Sequence, residues 1–301
     1  MGIDRRHFLR LAGIGGAVFA SGLPGWARAQ GYSASSAEDF YFVQLSDLHW
    51  GFADPKINPD FAGTLPKAIA AVNALPEQPD FVVFTGDLTH NTDDPRERRR
   101  RLGKVKEMAG ELRVKDLRFM PGEHDASLDN GKAFRELFGD THYSFDHKGI
   151  HFVALDNVSD PAARLGDDQL RWLAADLATR DPRAPIVVFA HRPLFDLAPQ
   201  WDWATRDGAQ AIDLMMPFAN LTVFYGHIHQ ENHHLTGHIA HHSAKSLMFA
   251  LPAPLSQPKR APLAWDSGAP YKGLGFREVD LEERGAKIAI EELPVVKGGA
   301  A

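Results

Sequence analysis

The stretch 221–229 ends in two histidines whose type and spacing suit metal binding. It reads Leu-Thr-Val-Phe-Tyr-Gly-His-Ile-His, and its apolar, β-branched and aromatic beginning predicts a buried strand that stops at Gly226. His227 and His229 follow that stop directly. Neutral imidazole is a common protein ligand for zinc, iron, copper and nickel, and a loop can direct two such rings at two separate ions. Alone, a His-x-His pair is weak evidence, because surface histidines reach this spacing by chance.

Four other predicted strands end in the same kinds of side chain. In open α/β sheets, ligands bind beyond the carboxyl ends of the strands, so we expect these side chains to converge. Five strand ends that offer carboxylates and imidazoles predict a metal centre. The side chains are Asp47 and His49 after the first strand, Asp87 after the second, Glu123 and His124 after the third, His191 after a later one, and His227 with His229 after the last.

Apolar runs and stretches of helical periodicity alternate along the chain. We predict strands at residues 40–46, 81–85, 117–120, 150–155, 186–190 and 221–225, and helices at residues 61–75, 94–114, 132–138, 167–178 and 208–218. A proline-rich loop at 251–271 precedes a hairpin of strands 276–281 and 287–293. The alternation predicts an α/β fold with a mostly buried sheet and helices outside it. Since we find no internal repeat or second domain boundary, we predict a single domain.

The composition narrows the chemistry of the predicted centre. The chain has 301 residues, of which 44% are hydrophobic and 24% charged, as in ordinary globular proteins. The lack of cysteine excludes disulfides, iron–sulfur clusters, thiolate zinc sites and a cysteine nucleophile, so nitrogen and oxygen atoms must hold any metal. The formal net charge of -6 argues against broad contact with a nucleic acid polymer.

In chain order, the motifs are Asp-x-His, Gly-Asp, Gly-x-His-Asp, a single His and Gly-His-x-His, and they extend from Asp47 to His229. As a set they resemble the calcineurin-like metallophosphoesterase family, and the resemblance covers nearly the whole mature chain. It implies an α/β fold in which two β-sheets pack as a sandwich between flanking helices. It also implies an enzyme that uses two metal ions to hydrolyse small phosphomonoesters or phosphodiesters.

The resemblance implies a role for each of these side chains. One ion would be held by Asp47, His49 and His229, Asp87 would bridge both ions, the second ion would be held by Glu123, His191 and His227, and His124 would act on the leaving group as an acid or charge stabiliser without binding metal. Two cations roughly 3.5–4 Å apart can clamp the attacking and leaving oxygens at phosphorus, and a water that bridges them becomes hydroxide near neutral pH. Manganese, iron and zinc, divalent or trivalent, all accept such ligands, so the sequence leaves the metal unidentified.

One position departs from the family pattern. The third motif is usually Gly-Asn-His-Asp or Gly-Asn-His-Glu, whereas this chain has Gly-Glu-His-Asp with Glu123 at the second place. A charged carboxylate should bind cations more tightly than a neutral amide does, and should damp their Lewis acidity or favour ferric iron. The alternative function is therefore a metal-binding or partner-binding protein of the same fold with weak or no phosphoesterase turnover. Either this alternative or a solvated loop would account for the surplus histidines His233, His234, His238, His241 and His242.

Three further side chains are candidates for binding the substrate. Arg192 directly follows a predicted ligand and could bind a substrate phosphate or form a structural ion pair. His90 and Asn91 lie close after the second motif and could line the site or have a structural role. The sequence does not distinguish a monoester from a diester substrate, and it leaves the oligomeric state open.

The N-terminal segment has the features of an export signal. Residues 5–9 read Arg-Arg-His-Phe-Leu, a mild apolar stretch follows at 11–23, and Ala-Arg-Ala at 27–29 offers the small residues that a signal peptidase requires. The twin arginines resemble a twin-arginine (Tat) signal, with a Sec signal or a basic start as alternatives. We predict a signal peptide at 1–29, a spacer at 30–39, the metallophosphoesterase domain at 40–295 and a tail at 296–301. The Tat translocon would deliver the protein to the periplasm or the exterior, and no mature segment is suited to span a membrane.

Overall fold

Two mixed β-sheets face each other in a computed structural model that describes residues 19–21, 39–285 and 287–296. The first sheet contains β1 (Phe19–Ser21), β2 (Phe40–Leu45), β3 (Phe81–Thr85), β4 (Leu117–Met120), β11 (Gly275–Glu282) and β12 (Lys287–Pro294), in the order β1-β12-β11-β2-β3-β4. The strands β2, β3 and β4 run parallel to one another, so the loops that follow them leave the same edge of the sheet.

The second sheet also places parallel strands at its middle. It contains β5 (Tyr143–His147), β6 (Ile150–Ala154), β7 (Pro185–Phe189), β8 (Asn220–Tyr225), β9 (Asn232–Thr236) and β10 (Ile239–Ser243), in the order β5-β6-β7-β8-β10-β9. The strands β6, β7, β8 and β10 are parallel, whereas β5 and β9 pair antiparallel at the two edges. The loops after β7 and β8 therefore also leave one edge together.

Aromatic side chains fill the space between the two sheets. Successive residues of a strand point to opposite faces, and Phe42 of β2 points inward. Its ring stacks on Phe81 at a centroid distance of 4.9 Å, and it meets Phe152, Phe189 and Phe224 of the second sheet edge-on at 6.1, 5.6 and 5.7 Å. Each such pair contributes about 0.5–1.5 kcal/mol beyond its buried area. This inner layer fixes the position of one sheet, and hence of its strand ends, against the other.

Helices cover the outer faces of both sheets. The first sheet packs against α1 (Thr64–Asn73), α2 (Pro95–Ala109) and α4 (Lys132–Phe138), and the second packs against α5 (Asp167–Leu177) and α6 (Gly208–Met215). Val43, the neighbour of Phe42, points outward and packs in one cluster with Leu65 of α1. The short helix α3 (Glu123–Ala126) follows β4 directly.

The predicted α/β fold of two sheets flanked by helices in a single domain is confirmed. The strands β3 and β4 and the helix α4 have the predicted bounds. Asp94 caps α2, since its carboxylate accepts from the Arg96 N–H at 2.8 Å, but the helix ends at Ala109 instead of continuing to residue 114 as predicted. The sequence missed β5, β9 and β10, because polar residues such as the paired histidines of β9 and β10 obscure the apolar pattern of a strand.

The N-terminal segment is described in part. The strand β1 falls within the apolar stretch of the predicted signal peptide and pairs antiparallel with β12. The remainder of residues 1–29, the spacer up to residue 38 and residues 297–301 lie outside the described residues, so the signal peptide, the spacer and the tail stay predictions. Among the described residues, no helix has the length and apolar character needed to cross a membrane.

Candidate metal centre

The loops after five parallel strands bring the seven predicted ligands together. They fall into two groups on either side of Asp87. Each residue of a group offers one imidazole nitrogen or carboxylate oxygen, and within a group these atoms all lie within 4.8 Å of one another. One carboxylate oxygen of Asp87 also lies within 4.8 Å of the atoms that the first group offers. We call the first the Asp47 group (Asp47, His49 and His229) and the second the Glu123 group (Glu123, His191 and His227).

Asp87 lies between the two groups. Its Oδ2 is 3.5 Å from Nε2 of His49 in the Asp47 group and 3.6 Å from Nε2 of His191 in the Glu123 group. Its Oδ1 accepts from the backbone N–H of His124 at 3.0 Å, which fixes the orientation of the carboxylate. One carboxylate oxygen therefore faces a histidine of each group at nearly the same distance.

Five of the seven residues have a left-handed backbone conformation, which residues other than glycine rarely adopt. The φ angles are 54° at Asp47, 43° at His49, 46° at Asp87, 65° at His227 and 54° at His229. Each costs about 1–3 kcal/mol and persists where the surrounding structure imposes it. Here the Asp47 N–H donates to the Gly86 carbonyl at 3.1 Å, and the His49 N–H donates to the Asp87 carbonyl at 2.9 Å. The backbone strain thus lies at the sharp turns that present the ligands.

Two motif glycines allow the strand ends to approach one another. Gly86 has a φ of 96°, and a Cβ there would lie 2.3 Å from Nδ1 of His191. A Cβ on Gly226 would lie 2.1 Å from Oγ of Ser46 and 2.7 Å from Oδ2 of Asp47. Because contacts this short do not occur, any larger residue at either position would displace a ligand or its neighbour.

Backbone carbonyls orient two of the histidine rings. Nδ1 of His191 lies 2.7 Å from the carbonyl oxygen of Thr85, and Nδ1 of His229 lies 2.7 Å from that of Phe249. Since a carbonyl oxygen can only accept, each Nδ1 carries the proton and each Nε2 turns a lone pair toward the centre. Nε2 of His191 is buried and faces the carboxylates of Glu123 and Asp87 at 2.9 and 3.6 Å, without the geometry of a hydrogen bond to either. A buried imidazole nitrogen that faces two carboxylates fits a metal ligand.

His227 presents its other nitrogen to the centre. Its Nε2 lies 3.0 Å from the carbonyl oxygen of Asp202, and its Nδ1 lies 2.9 Å from Oε1 of Glu123. Oε2 of Glu123 is 2.9 Å from Nε2 of His191, so the carboxylate spans both histidines of its group. Burial disfavours the charged carboxylate, but His227 and Arg192 outweigh it and hold the pKa of Glu123 well below its ordinary value.

Arg192, predicted as a substrate ligand, is paired within the protein in this structure. Its guanidinium donates to Oδ2 of Asp202 at 2.7 Å and to the Asp202 carbonyl at 2.9 Å. Its Nη2 is 3.7 Å from Oε1 of Glu123, and its side chain is 6% exposed. The sequence left open a structural ion pair for Arg192, and this is the arrangement observed. The pair with Asp202 holds the guanidinium of Arg192 beside the carboxylate of Glu123.

His124 lies at the open side of Asp87. Its Nε2 is 3.9 Å from Oδ2 of Asp87, and its side chain is 24% exposed. The backbone N–H of Asn91 donates to Nδ1 of His124 at 3.1 Å, so the neutral ring carries its proton on Nε2. The His90 ring lies 5.0 Å from the His124 ring, and burial lowers the pKa of His90 to about 4. His90 and Asn91 thus border the centre by contacting His124.

Asp125 holds the two loops around Asp87 together. Its buried carboxylate accepts from the backbone N–H groups of Leu88, Thr89 and Gly122 at 2.8–2.9 Å, and from the Thr89 hydroxyl at 2.9 Å. Burial, with Asp87 adding to it, raises the pKa of Asp125 to about 7, against the opposite effect of those N–H groups. The final aspartate of the third motif is therefore a positioning residue.

The sequence reasoning missed Arg260. It lies in the proline-rich loop at 251–271, where no motif marks it, and its Nη1 is 3.3 Å from Nε2 of His227. Its Nη2 is 3.6 Å from Oδ2 of Asp202, and its side chain is 35% exposed. With His124 and ligands of both groups, it lines a cavity of about 150 Å³. The loop thus adds a positive charge to the mouth of the centre.

Comparison with known proteins agrees with this geometry. The model of the calcineurin-like phosphoesterase family matches residues 40–231, which is more than half of the chain. The chain belongs to the calcineurin-like phosphoesterase family, and the resemblance seen in its motifs is confirmed.

The relatives carry the names of different activities, protein phosphatase and cyclic nucleotide phosphodiesterase. The serine/threonine-protein phosphatase CPPED1 of Danio rerio is 26% identical over 220 residues, which cover 64% of this chain and 70% of that protein. A probable cyclic nucleotide phosphodiesterase of Synechococcus sp. is 28% identical over 277 residues, which cover 81% of this chain and 92% of that protein. Three further relatives are matched over 51% to 57% of their own length. The solved structure of a dimetal phosphatase from Danio rerio has the same fold, with a TM-score of 0.63, 13% identity, and coverage of 85% of this chain and 96% of that one.

Proposed function

We propose that this protein is an exported, metal-dependent phosphoesterase that hydrolyses a small phosphomonoester or phosphodiester. The position of Asp87 carries the proposal. Its Oδ2 faces a histidine of each group at 3.5 and 3.6 Å, so one carboxylate can serve two ions. Relatives that are phosphatases and phosphodiesterases support a reaction at a phosphoester.

The residues present fit two metal ions. All the donor atoms are carboxylate oxygens or imidazole nitrogens, a set that suits manganese, iron or zinc. In this proposal the Asp47 group would hold one ion, the Glu123 group would hold the other, and Asp87 would serve both. When bound, such ions neutralise the charge of the phosphate oxygens and turn water into a nucleophile near neutral pH.

The chain itself supplies the proton for the leaving group. His124 carries its proton on Nε2, beside Asp87 and open to the cavity. In the proposed reaction this Nε2–H donates to the oxygen of the departing alcohol, which leaves as a neutral molecule. Arg260 at the mouth of the cavity would orient a non-bridging phosphate oxygen through a charge-assisted hydrogen bond.

The direct test combines elemental analysis with hydrolysis of 4-nitrophenyl phosphate and bis(4-nitrophenyl) phosphate. We expect two metal ions per chain and turnover of at least one ester. Asp87→Asn should lower kcat/KM by about 10³-fold or more, since several kcal/mol of charge stabilisation are lost. Asp93→Asn, at an exposed position, is the matched control. If manganese-, iron- and zinc-loaded protein all fail to exceed Asp87→Asn, the proposal of an enzyme is wrong.

A metal-binding protein without turnover is the second candidate, and the surroundings of Glu123 favour it. A fully charged carboxylate occupies the place of a neutral amide and spans both histidines of its group. The extra negative charge would reduce the positive field that a phosphate needs. Hydrolysis that is absent in the native protein and appears in Glu123→Asn would identify this carboxylate as a brake on the reaction.

Export through the Tat route is part of the proposal and is supported by the twin arginines at residues 5 and 6. Replacing both by lysine keeps the charge but removes the feature that distinguishes a Tat signal from a Sec signal. We expect the doubly substituted chain to remain in the cytoplasm, as measured by cell fractionation. Unchanged export of that variant would favour the Sec route.

A further inference from the structure

A second cavity, of about 400 Å³, adjoins the metal centre. Its walls include Met248, Leu263, Trp265 and Tyr271, and most of the surface they expose is apolar. It meets the smaller cavity of the centre at three shared residues, since His229, Phe249 and Leu251 line both. The cavity of the candidate metal centre therefore adjoins a larger, mostly apolar cavity of the size that binds organic ligands.

The far wall of this cavity is aromatic. The rings of Trp265 and Tyr271 meet edge-on at a centroid distance of 5.1 Å. Leu263, on the same loop, also lines the cavity and leaves 41% of its surface exposed. Glu231 and Lys245, whose charged atoms lie 4.0 Å apart, supply opposite charges at one side of the cavity.

Hydrogen bonds hold this wall in place. The backbone N–H of Trp265 donates to the Lys56 carbonyl at 2.9 Å, and the backbone N–H of Leu263 donates to the Ala250 carbonyl at 2.9 Å. The Tyr271 hydroxyl donates to Oδ2 of Asp60 at 2.9 Å. The proline-rich loop is thereby tied at several points, so the cavity is built before a ligand arrives, and less entropy is lost on binding.

We propose that this second cavity binds the alcohol part of the phosphoester substrate, and that this part is a planar aromatic group joined to the phosphate by a short linker. The inference rests on the proposed function, because it places the phosphate at the two metal groups. Edge and face contacts from Trp265 and Tyr271 favour a planar ring over a small polar alcohol such as glycerol, which would leave these walls in contact with water. The opposite charges of Glu231 and Lys245 can pair with polar atoms at the edge of the ring.

The test compares two phosphomonoesters that both release a primary alcohol, so that they differ in the aromatic ring and hardly in the reactivity of the ester. We expect kcat/KM for 2-phenylethyl phosphate to exceed that for ethyl phosphate by about 10- to 100-fold, which corresponds to burial of one aromatic ring. Ala264→Trp, at an exposed loop position that lines the cavity, should fill it and reduce this ratio toward one. Ala253→Trp, at an exposed position of the same loop that does not line the cavity, should leave the ratio unchanged.

A binding measurement separates this inference from the proposed reaction. Titration calorimetry with 3-phenylpropylphosphonate and propylphosphonate, on metal-loaded protein, needs no turnover. The aromatic phosphonate should bind at least tenfold more tightly, and Ala264→Trp should abolish the difference. If no ester is hydrolysed but this preference is present, the proposed reaction fails and the cavity assignment holds. Equal affinity for both phosphonates, or an equal loss of both in Ala264→Trp, would overturn the assignment.

Discussion

The Asp47 group and the Glu123 group contain the same kinds of side chain in different surroundings. Asp47, His49 and His229 are each at most 3% exposed. The Asp47 carboxylate accepts from the Ser46 hydroxyl at 2.6 Å and from the His227 N–H at 3.1 Å, and no arginine of the described residues forms an ion pair with it. The side chain of Glu123 is 16% exposed and lies beside the guanidinium of Arg192.

This difference separates a fixed half of the centre from an adjustable half. Backbone donors and tight packing hold the Asp47 group, where the Phe249 ring stacks on His49 at 4.9 Å and contacts His229 at a tilt at 4.5 Å. The Glu123 group contains a longer carboxylate side chain and lies beside two arginines, Arg192 and Arg260. The charge around its ligands therefore depends on side chains that can be substituted without altering the backbone at a strand end. We therefore expect substitutions in the first half to remove its metal ion and those in the second half to weaken the binding of the other ion.

The largest effect should come from Asp47→Asn. It removes a charged ligand from the fixed group and leaves the buried donors around it with a weaker acceptor. We expect loss of one metal ion per chain and a fall in kcat/KM of about 10³-fold or more, measured by elemental analysis and aryl phosphate hydrolysis. Asp54→Asn, at an exposed position, is the control. Full metal content in Asp47→Asn would contradict the division into two groups.

His124→Gln should have the next largest effect and should act on the reaction alone. Loss of a general acid lowers kcat by about 10²-fold or more for an alkyl ester whose alkoxide needs a proton. The effect should shrink for 4-nitrophenyl phosphate, since nitrophenolate leaves without help. Metal content should not change. An equal loss for both esters would show that His124 acts by positioning another group.

Glu123→Asn should tune the adjustable group without destroying it. Replacing a charged ligand by a neutral one costs about 1.5–3 kcal/mol, so the affinity for the second metal ion should fall by about 10- to 100-fold. A chelator titration should remove one ion per chain from the variant well before the other. Glu111→Asn is the matched surface control. Simultaneous loss of both ions from the variant would show that the two groups do not bind their ions independently.

Arg260→Gln should have a smaller effect, because the side chain is partly exposed and screened by solvent. A partly exposed ion pair between Arg260 and the substrate phosphate would contribute about 0.2–1 kcal/mol, which corresponds to a rise in KM of about 1.4- to fivefold with kcat nearly unchanged. High salt should reduce the difference. Lys259→Gln removes a neighbouring positive charge from the same loop and should leave KM unchanged, so equal effects of both substitutions would exclude a local role for Arg260.

His241 lies outside both groups, and we expect it to make the stability of the fold depend on pH independently of the metal ligands. Both of its ring nitrogens are buried and unpaired among the described residues, and burial lowers its pKa to about 3. Between that value and the unfolded value near 6.5, the unfolded chain binds a proton that the native state does not, so stability falls as the pH falls. His241→Leu should recover about 2 kcal/mol of unfolding free energy at pH 5 relative to pH 7.5, measured by denaturant titration of metal-free protein. The same change at the exposed His238 should not.

The sequence alone predicted the parts of the fold where local pattern and burial agree. The strand β3 is buried throughout and β4 is mostly half-buried, and both read as short, largely apolar runs, so their bounds could be predicted. The ligands could be identified as well, since carboxylates and imidazoles directly follow these runs. By contrast, β9 and β10 were missed, because their histidines give them no apolar strand pattern. These histidines pair across the two strands, as His233 does with His242, and such pairing cannot be recognised from the sequence.

What the sequence determined is the set of ligands and the order in which the strands deliver them. The tertiary structure decided how each residue is used. It committed Arg192 to Asp202, brought Arg260 from a loop without a motif to His227, and gave Asp125 four donors from two loops. These contacts join residues far apart in the chain, and local propensity carries no information about them. The physical reason is that a strand end fixes the direction of its own side chain, whereas charge pairing and cavity shape depend on which other loops arrive beside it.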